Sequence, residues 1–373
     1  VYKFFFFVWL LFSAGLIYPD LERYVYLNEL LAILGFFLTF NFYLKSYTSL
    51  TRVELLYFIF VVYGALLLLA SYEEISNSGL YLSVRTMPIF YNVFGFITGY
   101  YLYMYYLSGR VLKFPKGWRY VGLAVSLVTP WRLSPQVFAM LFLKSYKAIF
   151  LYLTLFFLIN GGSTSITAFV FVFSLLVYKN SKSIRAWLSV KYLYVFTALF
   201  FVGLYLSYGV FDEFISIGYE KYFALDVNLT WRYMFWVYLF QEVAANNIFF
   251  GIGFGSPLFE LGVAPSFITS DDGSRNTEYT LGTHNSMVFL LMRMGGVGLL
   301  LILLIHAAVY SKAFRFILKD RGAELSEVET LLLANLMFLN SAFFNVILET
   351  PLYGGLYWMT LGLLYGSLKK MRV

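Results

Sequence analysis

Two imidazoles, His284 and His306, and no cysteine bound the chemistry open to this 373-residue chain. Without thiols there is no disulfide, no thiolate nucleophile and no Cys-built zinc or iron–sulfur site. His284, followed by Asn285, stands where a polar segment meets the apolar run 285–310. An imidazole at such a helix mouth can take a proton near neutral pH and so activate a hydroxyl. Its structural alternative is an interfacial side chain bonded to a carbonyl or serving as a cap. Arg232 lies in an aromatic stretch, Thr230 to about Ala245, that also carries Trp236 and in which Thr230 suits a helix cap. A guanidinium fork matches phosphate oxygens and favours the charge on a departing diphosphate; the alternative is a pair with Glu242 or a snorkelling anchor. Arg293 falls inside the apolar run, where a lone charge is costly and therefore a functional candidate. The competing role is a buried pair with a carboxylate such as Glu349. His306, deep in the same run, reads as a bonded core side chain. Asp20 and Glu22 form an acidic pair better explained by a solvated loop than by a metal, and Gly251 to Gly255 reads as a turn, since no strand precedes it.

The elements that must position these residues follow from composition. At 61% hydrophobic and 13% charged, with mean hydropathy +0.74, the chain has too little polar surface to coat a water-soluble globule. Apolar runs recur from end to end, and a run of about 20 residues is what crosses a bilayer core. Helices satisfy their own backbone there, and the alternating pattern of a closed barrel is absent. The fold expected is all-α and polytopic, with about twelve transmembrane helices near 4–18, 25–44, 53–71, 86–107, 120–131, 134–145, 146–160, 163–179, 189–211, 285–310, 328–348 and 353–369. The first apolar run has no small-residue cleavage site, so it reads as a retained helix.

Charge orients the map. With the N-terminus inside, the basic loops 45–52, 108–119, 179–191, 311–321 and 369–372 all fall on the cytoplasmic side, while the opposite loops hold few cations. The +7 net charge therefore marks topology rather than nucleic-acid binding. Three parts result: helices one to nine in 1–211, a large outward loop with an interfacial, surface-lying helix in 212–284, and helices ten to twelve in 285–373.

The order of features, an aromatic helix with Arg232 and Trp236, then Asn247 to Gly255, a variable polar loop, His284–Asn285 and Arg293 to Gly298, resembles the O-antigen ligase and O-antigen polymerase superfamily. The likeness covers about 231–300 by motif; the remainder agrees in plan alone. It implies a GT-C-like membrane glycosyltransferase of the bacterial inner membrane, multi-pass, with its active site facing the periplasm. The donor would be a glycan on undecaprenyl diphosphate, and the acceptor a hydroxyl of lipid A-core for a ligase or of a second lipid-linked glycan for a polymerase. No cofactor and no metal are implied. His284 would be the base and Arg232 would hold the diphosphate, with Arg293 as a further cation and Asn285 and Trp236 in support. Where many members carry a Ser-Arg pair, this chain has Gly161 to Ser165, and Arg132 is the candidate substitute. A single long outer loop leans the expectation toward a ligase. A transporter of lipid-linked sugars is the competing class; such proteins place ionisable groups on broken helices at the bilayer midplane, often with repeat symmetry.

Overall fold

In the computed structural model of the chain, the described residues are 27–46, 50–77, 86–107, 123, 143, 145–160, 191–207, 232–233, 235–241, 247–256, 283, 285–319, 325–343 and 347–371. The expected helices 4–18 and 163–179, and almost all of 120–131 and 134–145, lie outside them, as do Asp20, Glu22 and Gly161 to Ser165. The described chain is all-helical, in agreement with the all-α expectation. In order it contains α1 (Leu27–Ser46), α2 (Arg52–Ala70), the short α3 (Pro88–Tyr91), α4 (Phe94–Leu102) ending in a π-helical turn (Tyr103–Leu107), α5 (Tyr146–Asn160), α6 (Lys191–Leu206), α7 (Ser286–Lys319), α8 (Glu327–Ala342) and α9 (Pro351–Lys370).

Local sequence explains the helix starts. Thr51 and Glu54 form a reciprocal capping box at α2, Ser326 and Glu329 repeat it at α8, and Thr350 caps α9 ahead of Pro351 at its first turn. Each start satisfies backbone N–H groups that the helix leaves without partners.

Helix α9 is the hub, packing most extensively on α4 and also meeting α1, α7 and α8, while α2 lies along α7. A Cβ at Gly99 would strike the Met359 carbonyl, and one at Gly362 the Phe96 carbonyl, so the backbones of α4 and α9 touch through small residues. Close approach of this kind is how helices associate where lipid removes the hydrophobic drive. Two of the described helices, α2 and α7, are long and apolar enough to cross a membrane. The outer faces of α1, α2, α5 and α6 expose Phe37, Leu66, Leu158 and Leu199, each more than half accessible. Those faces and the two long helices suit a chain that associates with a membrane.

Three expected spans differ. The run 86–107 is interrupted at 92–93, where the Asn92 amide turns aside to donate to the Leu348 and Thr350 carbonyls, 2.9 Å each. In the run 328–348 the helix spans Glu327–Ala342 with Phe343 as its C-cap, and 348–349 form a turn. The run 285–310 continues to Lys319 but is broken at Gly295, which has φ 63° and ψ −173°.

Candidate functional site

The break in α7 is filled by the glycine turn. Ile252 N donates to the Met292 carbonyl (2.7 Å) and Gly253 N to that of Arg293 (3.2 Å), while Gly296 N donates to Ile248 O (2.8 Å) and Val297 N to Phe249 O (3.2 Å). Tyr63 of α2 donates to the Met294 carbonyl at 2.6 Å. Backbone groups freed by the break are thus paired within protein, the condition for irregular backbone at membrane depth. Gly251 and Gly295 are required on both counts: each has positive φ, and a Cβ on either would collide with the other segment's backbone.

Arg293, two residues before the break, is fully buried. Its Nη1 donates to the carbonyls of Ser256 (2.6 Å) and Gly253 (3.3 Å), and its guanidinium carbon lies 5.3 Å from the Phe289 ring centroid. It therefore clasps the end of the glycine turn, and the alternative role, a buried pair with Glu349, is not formed. Among the described residues its Nε and Nη2 have no partner. A buried guanidinium with idle donors is expensive, and backbone carbonyls compensate only in part.

Seven residues nearer the helix start, a second cluster forms. Asn285 caps α7 through its Oδ1, which accepts from Met287 N (2.9 Å) and Val288 N (3.1 Å). Thr283 donates from Oγ1 to the Asn285 carbonyl at 2.5 Å. Ser286 Oγ accepts from Ile347 N (2.9 Å) and Leu348 N (3.0 Å) and donates to Glu349 Oε2. Glu349 is 6% exposed, and among the described residues its Oε1 is unpartnered. Burial pushes its carboxyl up to about 7, against the smaller opposing effect of the Ser286 hydroxyl. A carboxyl titrating there can hold or accept a proton at neutral pH.

The aromatic helix reaches the same place. Trp236 Nε1 donates to the Thr283 carbonyl at 2.7 Å, and its ring meets Phe200 of α6 edge-on at 5.8 Å, with Phe343 edge-on to Phe200 in turn at 6.1 Å. Phe235, Trp236, Val237, Leu239 and Phe240 are all buried, so the expected surface-lying helix is instead packed into the bundle. Its aromatic content serves packing, because rings fill space between helices at low rotamer cost. Arg232, one turn before Trp236, is half-buried.

Of the expected site residues, Trp236 and Asn285 converge, each on Thr283; Arg293 sits on the glycine turn without an open face. His284 and Arg132 lie outside the described residues. Two features were not expected from sequence: Glu349 as a lone buried acid beside the α7 cap, and the helix break. The first was signalled by an acidic residue directly before Thr350–Pro351, the second by Gly295–Gly296 within an apolar run. His306 is a bonded core side chain: Nδ1 donates to the Ile302 carbonyl at 2.6 Å, which leaves Nε2 to accept from the Tyr357 hydroxyl.

Comparison with protein-family models, with curated proteins and with solved structures finds no match to this chain.

Proposed function

We propose that the chain is a multi-pass glycosyltransferase of the bacterial inner membrane, of about twelve spans, that moves a glycan from undecaprenyl diphosphate to a hydroxyl acceptor at the periplasmic face. The acceptor assigned is lipid A-core, which makes the enzyme an O-antigen ligase; a polymerase would use a second lipid-linked glycan. The Trp236–Thr283 bond carries the reading, because it ties the helix of Arg232 to the residue directly before His284. In the proposed reaction His284 takes the acceptor hydroxyl proton as that oxygen attacks the anomeric carbon. The bond from that carbon to the diphosphate oxygen breaks, undecaprenyl diphosphate departs, and the anomeric configuration inverts. Arg232 and Arg132 hold the charge that develops on the leaving diphosphate. Arg293 contributes indirectly, through the glycine turn it clasps.

Purified protein given the lipid-linked glycan and both acceptors is the test. A single glycan added to lipid A-core is expected, with His284→Ala inactive though still folded; near-normal turnover in that variant refutes the base. A ladder on the lipid carrier would make the enzyme a polymerase.

A transporter of lipid-linked sugars is the second reading, favoured by one observation: α7 is a broken helix with a buried arginine at the break. Flipping of the glycan lipid in vesicles without bond formation would establish it in place of the transferase.

A further inference from the structure

The opposite end of α2 and α7 carries a cavity that the proposed reaction does not use. Its volume is about 260 Å³, just below the range for drug-sized clefts, about 300–1,000 Å³, and room enough for a headgroup-sized anion. Arg52 from the start of α2 and Lys312 and Arg315 from α7 line it together, with Tyr194 of α6, Ser311 and an apolar wall that includes Leu304. Among the described residues no carboxylate lines it, and neither Arg52 nor Arg315 forms an ion pair. The nearest acid along α2, Glu54, is engaged elsewhere: its carboxylate takes Lys369 Nζ at 2.6 Å, the Tyr365 hydroxyl at 2.9 Å and the Thr51 backbone N–H at 2.8 Å.

We propose that this cavity binds a phosphate-bearing anion, in first instance the headgroup of an anionic lipid. Like charges brought together from two elements repel, and a bound anion turns that repulsion into attraction. The donors are suited to phosphate oxygens. Arg315 uses only Nε within its own helix, to the Ser311 carbonyl at 3.1 Å, so its two Nη groups remain for a planar contact. Thr51, Arg52 and Val53, at the start of α2, also line the cavity. Topology alone explains an excess of cations at one membrane face; it does not explain three of them around one concavity whose described lining holds no acid. Basic pockets between membrane helices are established sites for anionic headgroups. The flanking helices expose Leu55 and Ile59 on α2 and Val195 and Leu199 on α6, an apolar path for acyl chains. Nineteen residues of α2 at about 1.5 Å each separate this site from the glycine turn by about 28 Å. The site therefore stands independently of the transferase reading.

Native mass spectrometry of the full-length protein in neutral detergent is the test. Phosphatidylglycerol is titrated against phosphatidylcholine of the same acyl chains, with inorganic phosphate as competitor. Wild type is expected to retain phosphatidylglycerol preferentially, and Arg52→Gln/Arg315→Gln to lose that retention about thirtyfold. The single variant Arg315→Gln should lose it about fivefold, and provides the reading if the double variant does not fold. Displacement by phosphate, with no preference between the lipids, assigns the same site to a soluble phosphate compound. Equal phosphatidylglycerol retention in wild type and folded variant, with no effect of phosphate, overturns the site.

Discussion

Two buried polar clusters lie along α7, and they are satisfied to different degrees. Around His306 the circuit closes: Tyr357 bonds the imidazole, Tyr310 donates to Asn335 Oδ1 at 2.5 Å, and the Asn335 amide donates to the Tyr357 carbonyl and to Thr360 Oγ1, 2.9 Å each. Only the Trp358 indole N–H beside it lacks a partner among the described residues. At the start of the helix the accounting stays open: Asn285 Nδ2, Glu349 Oε1 and two guanidinium nitrogens of Arg293 are buried and unpartnered among the described residues. Native interiors pair the great majority of such groups, so a concentration of exceptions calls for a reason, and a ligand or catalytic role is one. The His306 cluster holds helices together, whereas the Asn285–Arg293 region keeps polar capacity in reserve.

Substitutions can break that contrast. The largest effect is expected from Gly295→Val, which forces a β-branched residue into positive φ against the Phe249 carbonyl and should cost about 4 kcal/mol or more. Loss of a monodisperse folded species in detergent is the readout, and a wild-type melting temperature would mean that the break is not needed.

Glu349 gives the next effect, through pH. Its carboxyl is raised from 4.5 to about 7 in the folded chain, so the folded state binds the proton more tightly than the unfolded state does. That contribution is fully present below about pH 4.5 and is lost as pH rises through about 7, a change on the order of 3 kcal/mol. Thermal melts between those limits should fall with pH in the wild type and flatten in Glu349→Gln. Parallel pH profiles for the two proteins would show that Glu349 is already ionised and paired.

Arg293→Met removes the donor to the Gly253 and Ser256 carbonyls but also an incompletely paired buried charge, so a net loss of about 2 kcal/mol is expected. Faster proteolysis at the glycine turn should accompany it; an unchanged cleavage pattern counts against the clasp. The smallest effect is expected in the closed cluster. Tyr357→Phe leaves His306 Nε2 without its donor and should cost about 1–2 kcal/mol, with function unaltered. If Tyr357→Phe impairs function as strongly as changes near Asn285 do, the division between the two clusters fails.

Helix positions were legible to unequal degrees. The run 146–160 matches α5 residue for residue, and 53–71 matches α2 to within one residue, because long apolar stretches bounded by charge leave few alternatives. Helix α7 was harder at both ends of the expectation. Ser311 to Lys319 is polar enough to suggest a loop yet is made of good helix formers, and Gly295–Gly296 looks tolerable in a helix, since a glycine costs only about 1 kcal/mol there. Whether such a pair bends the chain depends on whether another segment can pair the freed backbone, and that segment lies forty residues upstream.

The same division applies to the site. Residue types by themselves determined that the chain is helical and apolar, that thiol chemistry is excluded, and that the proton and phosphate chemistry available rests on a few histidines and arginines. Tertiary structure alone decided that Trp236 meets Thr283, that Arg293 faces the glycine turn rather than Glu349, and that Arg52, Lys312 and Arg315 share one cavity. The physical reason is that apolar periodicity is a local property of the chain. A hydrogen-bond partner, by contrast, is selected by which helices pack, and packing of this kind is set by contacts between residues far apart in sequence.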